Sequence, residues 1–413
     1  MTFAPIFAPD DLLDAVSDPA WVEAMLEAER ALAAAEAAAG VISADAAIEI
    51  AEASRAAAFD PAALAEQGRK VGNPAEPLVR ALRAAVGGEA ATYVHWGATS
   101  QDIVDTAAML VARRALELID GHLDGVAEAC VRLADEHRAT PMAARTLLQQ
   151  AVPTTFGLKA AGWLVAVDEA RAALEAVPLA AQLGGAAGTL AAIGDGGLEV
   201  AALYAKELDL PEPVLPWHTN RTRIASLGAA LAEAAGVLAK VALDVVLLSQ
   251  TEVAEVAEPA GGGSSTMPQK RNPVGSTLAI ACERRVRASA SVLSESLVGE
   301  HERAAGAWQA EWGALSDGLA FTGGAAASVR RVLEGLEVDA DRMRANLARE
   351  TVAERLAFAL AGRHGREEAH HLVAEGDWAE LDVPEELLDP TTYTGSAEAL
   401  VERALDHHRK ERR

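Results

Sequence analysis

Long stretches without proline, in which apolar residues recur at helical spacing, constrain this chain more than any other feature. Leu116, Ile119 and Leu123 lie three and four positions apart, and no proline follows Ser100 until Pro141. Residues at this spacing line one face of an α-helix. The pattern predicts one long helix from Ser100 and three more over about 155–177, 224–256 and 274–297. Helices of roughly 25 to 35 residues exceed the usual range of about 8 to 20 and indicate a long bundle.

The composition supports an all-α fold and excludes several classes of protein. Aromatic residues make up 4% of the chain, hydrophobic residues 51%, and the net charge is −25. An acidic chain of this kind is not expected to bind nucleic acid. Its two cysteines, Cys130 and Cys282, are too few for a disulfide framework and wrongly spaced for zinc. Because no stretch is typical of a membrane helix or a signal peptide, we expect a cytoplasmic protein without a membrane partner.

The faces of the long helices indicate an oligomer. Residues 237–248 are apolar on more than one side, so that a single chain could hardly cover them. We therefore expect a core that helices of several subunits share. Along the chain, we predict an N-terminal helical domain (1–98), a central domain of long helices (99–337) and a C-terminal helical domain (338–413).

Residues 261–273, GGGSSTMPQKRNP, are the least helix-like segment between two predicted long helices. Glycines and prolines at this density are typical of a loop. A flexible connection is the simplest interpretation, but helix connections usually need only about 2 to 8 residues, and longer loops are often functional. The loop also carries hydroxyl groups, the Lys270 ammonium and the Asn272 carboxamide. Together with free backbone amides, these groups suit a carboxylate or an oxyanion.

The same loop resembles the GSSxMPxKxNP signature of the fumarase/aspartase superfamily. All eight fixed positions are present: Gly263, Ser264, Ser265, Met267, Pro268, Lys270, Asn272 and Pro273. Two further superfamily blocks occur in order, over residues 95–102 and 145–153. The resemblance implies an all-α, fumarase/aspartase-like homotetramer. Its long central helix bundle is completed by tetramerisation and flanked by two smaller helical domains, and three subunits share each active site.

Within the superfamily, residues 300–312 and 216–218 are similar to the 3-carboxy-cis,cis-muconate cycloisomerase family. This resemblance implies an isomerase of aromatic-acid breakdown (the protocatechuate, or β-ketoadipate, pathway) that closes a small tricarboxylate to a lactone without a cofactor or a metal. Another superfamily lyase, such as an adenylosuccinate or argininosuccinate type, is the alternative. A catalytically silent helical scaffold is a third interpretation, which the complete signature disfavours.

Two positions depart from patterns found in the superfamily. Lyases that expel an amine or water usually carry histidine where this chain has Leu147, which cannot transfer a proton. In lactone formation the oxygen partner is a carboxylate with a pKa of roughly 4, so it needs no proton transfer. The second departure is Gln150, where cycloisomerases often carry histidine. Whether Gln150 orients a carboxylate stays open at this point.

The resemblance also implies roles for single residues. Ser264 corresponds to the serine that exchanges the proton on carbon, while Lys270 and Asn272 correspond to groups that hold the reacting carboxylate. Thr99 and Ser100, at a predicted helix N-terminus, suit another carboxylate. Arg303 is our first choice as a bidentate anchor. The remaining candidates for substrate binding are His95, Arg145, Gln149, Gln150, Arg221, Ser265 and Met267.

Overall fold

The computed structural model describes residues 3–259, 267, 270–376, 378 and 383–411. These residues form α-helices and two small antiparallel strand pairs, in agreement with the all-α prediction. The helices are α1 (Asp10–Ala15), α2 (Asp18–Ala38), α3 (Ala44–Ala56), α4 (Pro61–Gly68), α5 (Ala75–Val86), α6 (Ser100–Glu136), α7 (Phe156–Glu175), α8 (Gly197–Glu207), α9 (Thr222–Leu248), α10 (Val274–Glu295), α11 (Ala307–Glu334), α12 (Ala340–Ala345), α13 (Ala353–His364), α14 (Arg366–Glu375) and α15 (Ala397–Glu411). The strands are β1 (Pro141–Thr146), β2 (Gln149–Thr155), β3 (Val256–Ala257) and β4 (Glu337–Val338).

The four long helices predicted from the sequence are present as α6, α7, α9 and α10. The predicted end of the third helix at residue 256 is wrong, because α9 ends at Leu248. The chain turns there, and its amide at Glu255 returns to bond the carbonyl of Leu248 at 2.9 Å. Val256 then begins β3, which pairs with β4. A fifth long helix, α11, was not predicted.

The chain divides into two compact units. Unit 1 comprises residues 1–121, 171–236 and 281–327, and unit 2 comprises residues 122–170, 237–280 and 328–413. The boundaries fall inside five helices, namely α6, α7, α9, α10 and α11. These units do not test the predicted division into three domains over 1–98, 99–337 and 338–413, which stays a prediction.

Unit 1 is built on close helix packing. Ile103 and Leu110 of α6, with Leu227 and Leu231 of α9, are fully buried. A Cβ at Gly228 of α9 would lie 3.0 Å from the Cβ of Leu293, so glycine permits this approach. Small residues of this kind let neighbouring helices approach closely and interlock at the high density of protein interiors. The glycine thus lets α9 approach α10 closely.

Unit 2 contains a hairpin with an unusual turn. Strands β1 and β2 pair so that Thr146 faces Gln149, which leaves a loop of two residues, Leu147 and Leu148. Their φ angles are +50° and +65°, and their side chains are 97% and 76% exposed. Tight hairpin turns with two positive φ angles favour Asn-Gly, because left-handed backbone costs an ordinary L-residue roughly 1–2 kcal/mol. The turn is therefore strained in local conformation.

Replacing this turn should stabilise the protein. In the double variant Leu147→Asn, Leu148→Gly, we expect the free energy of unfolding to rise by about 1 kcal/mol, because both new residues tolerate left-handed backbone. Thermal unfolding measures the change. Leu215→Asn, which removes another exposed leucine (73% exposed) outside this turn, is the control. A melting temperature that falls in the double variant would mean that contacts of the two leucines outweigh the strain.

Candidate active site

In unit 1, Asp102 organises the head of α6. Its carboxylate accepts hydrogen bonds at 2.9 Å from the backbone amides of Thr99, Gly184 and Gly185. His218 Nε2 lies 2.7 Å from the same carboxylate. Asp102 is fully buried, so these bonds replace the water it would otherwise bind. One side chain thus ties the start of α6 to a glycine turn and to His218.

Arg303 and Thr99 form a corner that suits a carboxylate. Arg303 donates one hydrogen bond to Thr99 Oγ1 at 2.8 Å and another to the carbonyl of Ala186 at 3.0 Å. A guanidinium has five N–H donors, and the Thr99 hydroxyl keeps its own hydrogen to donate. Ser100 is the first residue of α6, whose N-terminus favours negative charge. The structure thus brings Arg303 into contact with Thr99, next to Ser100, and binding of substrate by these residues stays a prediction.

His95 lies just before this corner and is paired with a buried carboxylate. Its Nδ1 is 2.6 Å from Oε1 of Glu29 on α2, and the two side chains are 13% and 1% exposed. Burial alone would lower the pKa of His95, but the negative charge of Glu29 and its hydrogen bond outweigh burial and raise that pKa above its usual value. The imidazolium form of His95 is therefore favoured more than that of a free histidine.

Arg221, which the sequence offered as a substrate ligand, is only 2% exposed. Its guanidinium bonds Asp105 at 2.7 and 3.1 Å and Glu311 through Nε at 2.9 Å. Trp308 Nε1 donates to Asp105 as well, at 2.9 Å. Burial opposes the charge, but Asp105 and Glu311 together raise the pKa of Arg221. This geometry favours a structural role for Arg221, and its contact with substrate stays a prediction.

In unit 2, Arg145 is likewise bonded to a carboxylate of the protein itself. It makes two hydrogen bonds to Glu255, at 2.9 and 2.7 Å, and Glu255 is fully buried. Asn346 Nδ2 donates to the same carboxylate at 2.9 Å. Sequence reasoning did not identify Glu255, although an acidic residue inside the run Val253–Ala257 was a visible signal. The arrangement favours a supporting role for Arg145, whose contact with substrate stays a prediction.

Gln150 is held by backbone groups of the same unit. Its Nε2 donates to the carbonyl of Asn346 at 2.9 Å, and its Oε1 accepts from the amide of Ala348 at 3.3 Å. The neighbouring Gln149 is exposed at the start of β2. Gln150 thus joins the hairpin to the segment after α12. Its contact with a substrate carboxylate stays a prediction.

The signature loop is described only in part. Ser264 and Ser265 lie outside the described residues, whereas Met267, Lys270 and Asn272 lie within them. Lys270 and Asn272 line a cleft of about 1050 Å³ in unit 2. Arg271 makes two bonds of 2.8 Å to Glu337, and Glu258 accepts from the first amides of α10 at Gly275 and Ser276. These bonds anchor the end of the loop that carries Lys270.

The structure distributes the predicted residues over both units. Unit 1 holds His95, Thr99, Ser100, Arg221 and Arg303. Unit 2 holds Arg145, Gln149, Gln150, Met267, Lys270 and Asn272. Sequence reasoning missed the polar residues that support the first group, above all Asp102 and Glu29. Asp102 lies inside the superfamily block at residues 95–102, which was a visible signal, whereas Glu29 lies in a helical stretch, where an acidic residue is usually solvated.

The described part of the chain lacks two further kinds of feature, a cluster of metal-binding side chains and a helix that could span a membrane. Within it, no group of three or more histidine, cysteine, aspartate or glutamate side chains has the geometry to hold a metal ion. Over the same residues, no helix combines the length and apolar character needed to cross a bilayer.

Comparison with known proteins assigns the chain to a family. Residues 8–288 match the family model described as lyase, so the chain belongs to this lyase family, within the fumarase/aspartase superfamily. It is 46% identical to the 3-carboxy-cis,cis-muconate cycloisomerase of Bradyrhizobium diazoefficiens, over 98% of this chain and 97% of that protein. It is also 46% identical to the nitrosuccinate lyase of Streptomyces davaonensis, over 97% of this chain and 94% of that protein.

A solved structure extends the similarity to the fold. The 3-carboxy-cis,cis-muconate lactonizing enzyme of Pseudomonas putida superimposes with a TM-score of 0.92 at 40% identity, covering 99% of both chains. The resemblance inferred from the signature blocks is thus confirmed, as is the all-α, fumarase-like fold.

Proposed function

We propose that this chain is a cycloisomerase that interconverts 3-carboxy-cis,cis-muconate and a carboxymuconolactone in aromatic-acid breakdown. The observation that carries the proposal is the corner of Arg303, Thr99 and Ser100, which offers a guanidinium, hydroxyls and a helix N-terminus to a carboxylate. The similarity to cycloisomerases over nearly the whole chain supports this choice of substrate.

The chemistry is an intramolecular conjugate addition. One carboxylate oxygen attacks the carbon β to a second carboxylate, a C–O bond forms, and the α-carbon receives a proton. Negative charge builds up on the conjugated carboxylate, which becomes an aci-carboxylate dianion. Lys270 and Asn272 are the groups assigned to stabilise this charge, and Ser264 exchanges the proton. The substrate oxygen needs no proton, which fits an exposed Leu147 on a hairpin turn.

The assembly belongs to the proposal as well. We propose a cytoplasmic homotetramer in which three subunits share each active site. Apolar side chains that are exposed in the single chain support it, such as Leu243 of α9 (48% exposed) and Val298 (85% exposed). Exposed apolar surface of this kind is typical of interfaces.

A lyase that releases a leaving group from a succinate skeleton is the second candidate. The nitrosuccinate lyase is as similar to the chain, at 46% identity, as the cycloisomerase. Both chemistries pass through an aci-carboxylate, so the carboxylate corner alone does not distinguish them. The adenylosuccinate and argininosuccinate types expel an amine, for which Leu147 in place of histidine is a disadvantage.

One assay distinguishes these functions. The purified protein is mixed with 3-carboxy-cis,cis-muconate, and the loss of the diene absorbance in the ultraviolet is followed. We expect turnover to the lactone. If the protein instead releases fumarate from nitrosuccinate or a succinyl-amine and leaves the diene unchanged, it is a lyase. If neither substrate reacts while the protein is folded, the catalytically silent interpretation holds.

Removal of the carboxylate anchor should weaken substrate binding. For Arg303→Met we expect KM to rise by about tenfold to a hundredfold, because charged hydrogen bonds of about 1.5–3 kcal/mol are lost. Steady-state kinetics on the muconate measures this change. Arg287→Met is the matched control, since Arg287 is an arginine of unit 1 with a 77% exposed side chain, paired with Glu283 on its own helix. Equal KM values in the wild type and the Arg303 variant would contradict the anchoring role.

A further inference from the structure

Glu29 on α2 is a buried carboxylate that pairs with a residue of the proposed site. Its side chain is 1% exposed, and its Oε1 lies 2.6 Å from His95 Nδ1. A carboxylate without water needs a partner that carries a positive charge or donates a hydrogen bond. His95 is the partner that the structure provides. This contact therefore fixes the orientation of the imidazole ring and makes Nδ1 the nitrogen that bonds Glu29.

A second contact, besides that of Glu29 with the ring, holds the backbone next to His95. Its φ angle is +62°, in the left-handed region that an ordinary residue rarely adopts. Arg83 of α5 donates a hydrogen bond to the carbonyl of Val94 at 3.0 Å. A strained conformation persists only where surrounding contacts hold it, and such positions cluster at functional sites.

Three charged groups act on the His95 ring, from three helices. Glu29 of α2 and Asp102 of α6 favour the imidazolium, whereas Arg83 of α5 opposes it. Burial is the largest single influence and also opposes the charge, yet the pKa of His95 is raised overall. Glu29 is the largest of the influences that raise the pKa of His95.

A second buried acid on α2, Glu36, lacks the partner that Glu29 has. Glu36 is fully buried, and neither of its carboxyl oxygens has a hydrogen-bond partner within the described structure. Burial, followed by repulsion from Glu29, raises the pKa of Glu36 to about 9. Glu36 is therefore neutral near pH 7. Of these two acids on one helix, Glu29 lies within hydrogen-bond distance of His95, whereas Glu36 has no hydrogen-bond partner within the described structure.

We propose that Glu29 is a positioning residue for the reaction: it holds His95 as an imidazolium whose second nitrogen, Nε2, donates to a carboxylate of the substrate. The inference rests on the proposed function, because it needs a carboxylate substrate near Thr99. His95 precedes Thr99 by four residues, and Asp102, which acts on the His95 ring, also accepts from the Thr99 amide. His95 binds through a proton that it keeps throughout the reaction.

The decisive variant is Glu29→Gln, which keeps the shape of the side chain and its acceptor oxygen but removes the charge. We expect KM to rise about tenfold near neutral pH while kcat changes less than twofold. At pH 5.5 the ratio of the two KM values should be smaller than at neutral pH, because a larger fraction of the variant's imidazole is then protonated. Glu29→Asp, which keeps the charge, should restore part of the binding.

Two further variants separate positioning from a structural effect. Glu36→Gln replaces a group that is already neutral, so its KM profile should coincide with that of the wild type. In the background His95→Asn, Glu29→Gln should add little to KM, because Glu29 acts through His95. The proposal is wrong if KM depends on pH identically in the wild type and in Glu29→Gln. It is also wrong if the effects of Glu29→Gln and His95→Asn on KM are fully additive in the double variant.

A stability measurement tests the pair independently of the substrate. The pKa of His95 is raised on folding, so the pair stabilises the protein fully below about pH 6.5, the usual value, and this contribution is lost as pH rises through the higher folded pKa. The melting temperature of the wild type minus that of Glu29→Gln should therefore fall between pH 6 and pH 9. A difference that does not depend on pH would overturn the proposal even if turnover is confirmed. A falling difference without turnover of the muconate would instead count against the proposed substrate.

Discussion

Ser264→Ala should lower kcat by about 10²- to 10⁴-fold while the protein stays folded, the range typical of a lost general acid or base. A free serine hydroxyl is far too weak a base for this proton. Backbone amides of a glycine-rich loop and a lysine ammonium can lower the pKa of a hydroxyl. Turnover of the muconate, and exchange of the α-hydrogen of the lactone with deuterated water, measure the effect. Both should be lost together, since the same hydroxyl moves the proton in either direction.

Thr266→Ala is the matched control for this experiment. Thr266 is a hydroxyl residue two positions further along the same loop, at a position that the signature leaves variable. We expect its kcat to remain within about threefold of the wild type, because no proton transfer depends on it. If Ser264→Ala keeps most of its activity, or if both variants lose it equally, Ser264 is not the proton-exchanging group.

Removing Arg221 should cause the largest loss of stability. In Arg221→Met we expect the free energy of unfolding to fall by about 3–5 kcal/mol, because Asp105 and Glu311 are left buried without their cation. Both carboxylates are nearly inaccessible, at 1% and 3% exposure. Denaturant unfolding measures the change.

Charge removal on the surface provides the comparison for Arg221. Arg287→Met deletes the same charge at an exposed site and should change stability by less than about 0.5 kcal/mol. Adding Glu311→Met to Arg221→Met should recover part of the lost stability, since one unpaired carboxylate is removed. If Arg221→Met is as stable as the wild type, the buried ion pairs contribute little. A direct role in binding substrate would then be the better interpretation of Arg221.

The sequence predicted the parts of this protein that depend on local patterns. Spacing of apolar residues located α6, α7 and α10 within a few residues, because helix periodicity is a local property. The signature loop identified the superfamily, which the family match confirms. The end of α9 was predicted too late. After Leu248 the chain turns back, and Glu255 in this turn is bonded by Arg145, which lies 110 residues earlier, so the turn involves a contact distant in sequence.

The polar partners of the site were beyond sequence reasoning for the same reason. Arg221 and Arg145 are arginines beside motifs, and nothing local indicates that each bonds a buried carboxylate 90 or 110 residues away. Glu29 precedes His95 by 66 residues on a helix rich in alanine. In contrast, the sequence predicted Arg303 as an anchor, and its bond to Thr99 brings two predicted residues together. Which residues contact substrate stays a prediction.

The boundary between the two units passes through five helices, and this limits how the protein can be engineered. Between Gly121 and His122, and at four further points, the chain passes from one unit to the other without leaving a helix. Neither unit is a separable module, because excising it would cut α6, α7, α9, α10 and α11 rather than loops. Chimeras between this chain and its relatives must therefore be joined within helices at matching residues. An insertion or deletion of one residue at such a junction turns every following side chain by about 100° around the helix axis.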